Sequence, residues 1–513
     1  MGDLTTERSS QTGTAPVLVA SNRGPVSFGT ADDGTLTLRR GGGGLVSGLS
    51  AIDDPDAVWV CAALGDADRR AAREAPDGRL DRAGHDVGGQ AVRMLDMDPA
   101  TFARAYNGVA NSTLWFVHHL LYATPTAPSF DAGFRTEWQA YTAYNAAFAD
   151  ALAAEAAPGA AVLVQDYHLS LTPALLRAAR PDLRIGHFSH TPWAPPEYFR
   201  LLPDDVAEAV LTGILGADRA GFLTRRWALA FADCCEQLLG ATVDRTALTV
   251  TLRGRTTRLG VHALGADADF LRERAHRPDV DERLATLREA VGDRRTVVRV
   301  DRTELSKNIV RGFQAYRHLL RTRPEWLDRV VHIAFAYPSR TDLAEYRDYT
   351  AQVQQLAAEI NAEFATPSWQ PLILHVDDDF PRSLAAYRLA DVALVNPIRD
   401  GMNLVAKEVP VVSDRGCALV LSREAGAYAE LADDALTVNP YDVIATAEAL
   451  HSALTMPAGE RADRTKRLAA ASTALPPQQW FLDQLHALHA LDAGGDTADP
   501  GPGPGPRPVN EAG

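Results

Sequence analysis

Two loop segments hold the residue types needed to grip a diphosphate. The strand-like run TVVRVD leads into Arg302, and Lys307 follows five residues later, ahead of Ile309, Phe313, Tyr316 and Leu320 at helical spacing. Two cations on one strand-to-helix loop can hold a diphosphate from adjacent positions, the competing reading being solvated surface charge. Composition adds weight to Lys307. The chain has 51 basic residues, of which only Lys307, Lys407 and Lys466 are lysine, and a lysine kept against that bias points to a need for a compact ammonium. The second segment follows DVALVNP and reads Ile398-Arg399-Asp400-Gly401-Met402-Asn403-Leu404-Val405-Ala406-Lys407-Glu408. Gly401 at a helix entrance can open backbone N–H groups to a phosphate, and Glu408 can accept from ribose hydroxyls; an ordinary Asp-Gly turn before a core helix is the alternative.

Three more strand ends carry polar residues. The first strand ends in Ser21-Asn22-Arg23-Gly24-Pro25, and Arg39-Arg40 precedes the run Gly41 to Gly44, which reads either as an anion cradle or as a flexible loop. Gln165-Asp166-Tyr167-His168-Leu169 and His187-Phe188-Ser189-His190-Thr191-Pro192-Trp193 place Asp and His where they can bond sugar hydroxyls. His190 is open between a charge-stabilising and a structural role, and His168 and His187 read as structural. No Walker, G-x-G-x-x-G, nucleophile-elbow, zinc or EF-hand pattern is present.

The elements that must position these loops are short apolar runs alternating with helical stretches: PVLVAS, AVWVCA, AVLVQD and RIGHFSH in the first half, TVVRVD, VVHIAFA, PLILHV, DVALVNP and ALVLS in the second. That alternation predicts parallel sheets covered by helices, an α/β chain of two doubly wound domains over 15–264 and 265–455. Ligands in such sheets sit outside the carboxyl ends of the strands. A helical segment over 456–490 follows, and residues 1–14 and 491–513 are expected to be disordered. With 46% hydrophobic and 23% charged residues in a 513-residue chain, core material is ample. A net charge of −15 leaves no global positive field for nucleic acid or anionic lipid, so an anionic ligand must be held by local charge. No apolar run reaches the ~18 residues that span a bilayer, no export signal opens the chain, and the four cysteines lack metal-ligand spacing. A cytoplasmic protein that is neither exported nor anchored is expected.

Taken together, SNRGP, the glycine run, NSTLW, QDYHL, HFSHTPW, the Arg302/Lys307 pair, YPSR and RDGMNLVAKE resemble, in order and across nearly all of residues 16 to 490, the trehalose-6-phosphate synthase family of retaining GT-B glycosyltransferases. The resemblance implies two Rossmann-like domains facing across a cleft, with residues 456–490 crossing back onto the first. It implies transfer of glucose from GDP- or UDP-glucose to glucose 6-phosphate, with no cofactor and no metal. Arg302 and Lys307 would bind the donor diphosphate and act mainly in the transition state, joined by Gly44, Gly401, Met402, Asn403, Leu404 and Val405, while Glu408 holds the ribose. Asp400 and His190 would contact the transferred glucose. Arg23, Tyr106, Trp115 and Arg340 would surround the acceptor phosphate, and Asp166 would bind acceptor hydroxyls. No nucleic-acid or membrane partner is implied, and a homo-oligomer is left open. The rival readings are a related transferase or pseudo-glycosyltransferase acting on a cyclitol or another phosphorylated acceptor, and a non-catalytic sugar-phosphate sensor.

The chain departs from the commoner family pattern in three places. HTPW puts Trp193 where it is expected to reshape the acceptor side, and VPVVSDRG follows Glu408. Asp377-Asp378-Asp379 follows PLILHV where a nucleotide base should lie; its carboxylates can accept from guanine N1–H and the 2-amino group together, the alternative being a solvated acidic turn.

Overall fold

The structure is a computed structural model that describes residues 13–41 and 56–492. Gly44, residues 1–12 and residues 493–513 lie outside the described residues, so the expectations placed on them have no structural counterpart.

The apolar runs form strands buried on both faces. Val58–Ala62, Val392–Val395 and Ala418–Ser422 are buried at every position, which suits parallel sheets covered by helices on either side. Among the described residues the first sheet has nine strands, in spatial order Ala91–Leu95, Val58–Ala62, Ala15–Ser21, Ala156–Gln165, Arg184–Ser189, Arg219–Phe222, Arg255–Val261, Thr249–Leu252 and Thr242–Asp244. The last two pair antiparallel and the others parallel. The second sheet has six parallel strands, in order Leu372–His375, Val330–Tyr337, Arg295–Arg302, Val392–Val395, Ala418–Ser422 and Leu436–Val438.

The first strand of each half lies third in its sheet, and the chain doubles back from it to build the other side. Such a reversal leaves a crevice at the carboxyl ends of the two strands that flank it. In the first sheet these strands are Ala15–Ser21 and Ala156–Gln165; in the second they are Arg295–Arg302 and Val392–Val395. The segments singled out for chemistry, SNRGP and QDYHL, then RTELSK and RDGMN, leave these four strand ends.

The helix Pro477–His489 packs on the first sheet: Trp480 Nε1 donates to the His262 carbonyl at 3.0 Å and its ring meets Phe188 edge-on at 4.8 Å. Gly265 N–H, in the connection between the halves, donates to the Leu475 carbonyl at 2.8 Å. Among the described residues no helix is long and apolar enough to cross a membrane.

Candidate active site

The crevice of the second sheet is filled by paired charge. Lys307, in the turn Leu305–Lys307, donates from Nζ to Asp400 Oδ2 at 2.6 Å, so the loops from the two crevice-flanking strands meet. Ile398 N–H to the Ser306 carbonyl at 2.9 Å ties the same loops through backbone. Burial works against the Lys307 ammonium, but Asp400, Glu304 and Asp301 outweigh it and raise its pKa, keeping it a cation. Beneath it, fully buried Arg299 bonds Asp301 Oδ2 at 2.7 Å and the Lys307 carbonyl at 3.0 Å.

Asn403 turns left-handed (φ 72°), accepts from Ala406 N–H at 3.3 Å to cap the helix Leu404–Val412, and donates to Asp400 Oδ2 at 3.0 Å. Met402 is buried behind it. Gly401 owes its identity to close approach: a Cβ there would stand 2.0 Å from the His190 carbonyl oxygen. Trp227 Nε1 donates to the Gly401 carbonyl at 3.0 Å, so the loop lies flat against the first half of the chain. Glu408 stands apart from this cluster, on the wall of a cavity of about 970 Å³ shared with Leu404, Asp378, Phe380, Phe270 and Arg274. Burial pushes its carboxyl up to about 7, against a bond from the Tyr387 hydroxyl.

The crevice of the first sheet is built from neutral rings. Residues Arg104–Leu114 form a widened helix with i→i+5 turns, continued by Trp115–His119; such turns re-aim side chains and are frequent at functional sites. Tyr106 stacks on His168 at 5.6 Å, and Tyr167 tilts against His168 at 4.1 Å. Burial lowers His168 and His187 to about 4 and lowers His190 as well. Asp166, itself at φ 72°, accepts from His190 N–H at 3.2 Å, and His190 Nε2 donates to Gln165 Oε1 at 2.9 Å. Arg23 is exposed at the end of the first strand, with its charge felt at His168.

The first crevice obtains its buried cation from the second half. Arg340, at φ 46° after the strand Val330–Tyr337, lies over Trp115 at 3.9 Å, with Nε on Asn111 Oδ1 at 3.1 Å and Nη2 on the Tyr167 hydroxyl at 3.4 Å. Its Nη1 meets Glu304 Oε1 at 2.7 Å; Ser339 and Arg302 approach the same oxygen at 2.9 and 3.2 Å. Burial would raise the Glu304 carboxyl, but Arg302, Arg340 and Lys307 prevail and hold it at about 2.

The structure thus brings together Lys307, Asp400, Gly401 and Asn403 against His190 and Asp166, and Arg302 with Arg340, Trp115 and Tyr106 around Glu304, Asn111 and Tyr167. Glu304, Asn111 and Gln165 were not singled out from sequence. For Glu304 the one available signal was its place between Arg302 and Lys307. Two readings are corrected. Trp193 is 1% exposed, stacked on Phe199 and edge-on to Phe231, so it belongs to the core and does not line the acceptor side; only its carbonyl has an outside task, accepting from Arg399 at 2.7 Å. Lys407, whose rarity counted toward a phosphate site, is buried with Nζ on the Leu264 carbonyl at 2.9 Å and on Glu430 at 2.5 Å, a structural tie. In the Asp377 to Asp379 turn, Asp379 caps the helix Phe380–Leu389 and pairs with Arg283 at 3.0 Å and Arg382 at 3.1 Å. Among the described residues no group of three or more His, Cys, Asp or Glu side chains is placed to hold a metal ion.

Two doubly wound sheets with their switch-point loops in contact, cations and a helix N-terminus on one side and aromatic and hydroxyl-bonding groups on the other, define the GT-B class of glycosyltransferases. Within it, residues 16–490 match the profile of glycosyltransferase family 20, and the chain belongs to that family. It is 34% identical to the bifunctional trehalose-6-phosphate synthase/phosphatase of Thermoproteus tenax, over 92% of this chain and 63% of that protein, so it spans less than two thirds of that relative's length. It is 32% identical to the UDP-forming alpha,alpha-trehalose-phosphate synthase of Schizosaccharomyces pombe, over 88% of this chain and 86% of that one. Among solved structures it is similar to the Escherichia coli trehalose-6-phosphate protein bound with UDP-2-fluoro glucose (TM-score 0.80, 28% identity, 92% of this chain and 98% of that one). It is also similar to a UDP-forming synthase of Burkholderia xenovorans in complex with glucose-6-phosphate (TM-score 0.78, 28% identity, 93% and 100%).

Proposed function

We propose that this chain is an α,α-trehalose-6-phosphate synthase, transferring glucose from a nucleoside diphosphate glucose to glucose 6-phosphate with retention. The observation that carries the reading is Arg340, which belongs to the second half yet sits on Trp115 and Asn111 of the first, so that two cation groups serve one cleft. In this reading Arg340 and Arg23 take the acceptor phosphate, Tyr106 and Trp115 wall it, and Asp166 accepts from the acceptor's hydroxyls. Arg302, Lys307 and the first turn of the Leu404–Val412 helix take the diphosphate, Asp400 and His190 hold the transferred glucose, and Glu408 accepts from the ribose. The relatives named for this reaction, and the solved structures holding UDP-2-fluoro glucose or glucose-6-phosphate, support the donor and acceptor of this reading.

Negative charge grows on the leaving diphosphate as the glycosidic bond breaks, so Arg302, Lys307 and the helix N-terminus stabilise the transition state more than the ground state. Asp400 accepts from Lys307 and Asn403 on one oxygen, which fixes the carboxylate beside the helix N-terminus. The family resemblance implies retention by attack on the face that the diphosphate leaves, with a donor phosphate oxygen taking the proton of the acceptor hydroxyl. No metal is assigned a role, and turnover is expected to be unchanged by a chelator.

A uridine donor is supported by the UDP-forming relatives. A guanine donor has one observation in its favour: Asp378 is exposed on the cavity wall that Glu408 shares, where its carboxylate can accept from a ring N–H and an amino group. Initial rates with UDP-glucose and GDP-glucose at equal concentration, with the product identified by NMR, test both. An α,α-1,1-linked disaccharide phosphate is expected; its absence from both reactions would overturn the synthase reading, and a clear UDP-glucose preference would end the guanine one.

A further inference from the structure

We infer that Glu304 is a positioning residue that couples the two substrate sites, holding the donor-side guanidinium of Arg302 and the acceptor-side guanidinium of Arg340 side by side. The inference rests on the synthase reading above. Glu304 has no exposed surface, and three donors converge on its Oε1: Arg340 Nη1 at 2.7 Å, Ser339 Oγ at 2.9 Å and Arg302 Nη1 at 3.2 Å. Its other oxygen is buried without a hydrogen-bond partner, so its hydrogen bonds and ion pairs all go to these two guanidiniums and one hydroxyl.

The two guanidiniums differ in freedom. Arg340 is fixed on every side, by Trp115 beneath its plane, Asn111 on Nε and Tyr167 on Nη2, with only a tenth of its side chain exposed. Arg302 is 56% exposed, and Glu304 is its ion-pair partner. Two like charges brought to one oxygen repel each other unless an anion lies between them. Removing that anion would let the exposed Arg302 swing away while Arg340 stayed clamped. The donor diphosphate would then lose its alignment with the acceptor phosphate, although each cation could still bind its own anion.

That division gives Glu304 a kinetic signature that a merely structural role lacks. Glu304→Gln removes the charge and leaves a side chain of the same shape. The site becomes more positive by one charge, so binding of either phosphate is kept or tightened, while the alignment that turnover needs is lost. The predicted result is a kcat lower by about ten-fold or more with the KM for glucose 6-phosphate unchanged or reduced. Glu304→Asp, which keeps the charge, is expected to recover part of that loss. Ser339→Ala removes a single neutral donor from the same oxygen and serves if Glu304→Gln does not fold; it is expected to lower kcat by a smaller factor with an unchanged Tm.

The experiment is steady-state kinetics of the full chain and these three variants with both substrates varied, alongside thermal melts. A Glu304→Gln enzyme with wild-type kcat, or one whose defect lies entirely in a raised KM for glucose 6-phosphate, would overturn the inference. So would a Glu304→Asp enzyme with no better kcat than Glu304→Gln at equal Tm. A wild-type enzyme that forms no disaccharide phosphate would instead bring down the synthase reading, and this inference with it; an active wild type matched by Glu304→Gln would bring down only the inference.

Discussion

The two crevices are cut into sheets that share one order over six parallel strands, yet they manage charge in opposite ways. Around Lys307 in the second sheet the buried charges pair within the same half: Lys307 with Asp400, Arg299 with Asp301, and Glu304 with the exposed Arg302. In the first sheet the buried groups are rings kept neutral by desolvation, with His168 and His187 held at about 4, and the buried guanidinium over Trp115 is lent by the other half. A diphosphate that gains charge during reaction calls for cations rigidly preset around it. A sugar phosphate that keeps its charge calls for a shaped pocket of hydrogen-bonding and aromatic walls with one firm cation. On the proposed function, the difference between the crevices is the difference between a leaving group and an acceptor.

The comparison breaks most visibly at Lys307. Lys307→Ala is expected to lower kcat by ~10²-fold to 10³-fold, on the scale of a lost oxyanion donor, with a small effect on the KM for glucose 6-phosphate. Steady-state kinetics with the donor saturating would reveal it, and a defect confined to the acceptor KM would put Lys307 on the wrong side of the cleft. Arg340→Lys keeps the charge but loses the planar fork that meets Asn111, Tyr167 and Glu304 together. A rise of about ten-fold or more in the KM for glucose 6-phosphate is expected, larger than its effect on the donor KM. Equal effects on the two KM values would argue against the division.

Glu408 sharpens the donor side through pH. Burial pushes its carboxyl up to about 7, so in its proposed role it accepts better from ribose hydroxyls above that pH and is protonated below it. The donor KM should rise as pH falls from 8 to 6, and Glu408→Gln should raise it about five-fold at pH 8 and flatten the profile, the size of one net hydrogen bond. A pH profile of the donor KM that Glu408→Gln leaves unchanged would remove Glu408 from the site. The smallest kinetic effect belongs to the other buried lysine. Lys407→Met strands Glu430 and should cost about 2 kcal/mol of stability, less than a fully buried pair because Glu430 is partly exposed, with both KM values intact. A denaturant melt beside the kinetics separates the two lysines.

Much of this was legible in the sequence, and the failures have physical causes. The central strands announce themselves because parallel strands buried on both faces read as unbroken apolar runs, as in VWVCA and VALV. Ala91–Leu95 and Arg219–Phe222 were not read: both are short, and Arg93, Arg219 and Gly221 interrupt the apolar pattern. The Lys307–Asp400 bond was prepared by two motifs read separately, although nothing in their spacing shows that they meet. Arg340 on Asn111 joins residues 229 positions apart, a contact that only the docking of the two halves creates. Lys307 and Lys407 both hold a buried ion pair through an ammonium, but composition does not say whether that need is chemical, as proposed for Lys307, or structural, as at Lys407. Trp193 misled for a related reason, because a departure in a loop next to the site was read as a departure in the site, while the ring turns into the core.

The account stands on the claim that the acceptor phosphate is gripped across the cleft by Arg340. It is tested most directly by comparing kcat/KM for glucose 6-phosphate and for unphosphorylated glucose in the wild type and in Arg340→Ala. The prediction is a wild-type preference for the phosphorylated sugar of ~10²-fold or more that collapses to within a few-fold in the variant, as the loss of a buried charge-assisted contact requires. A preference that survives in Arg340→Ala would contradict the claim and place the phosphate elsewhere.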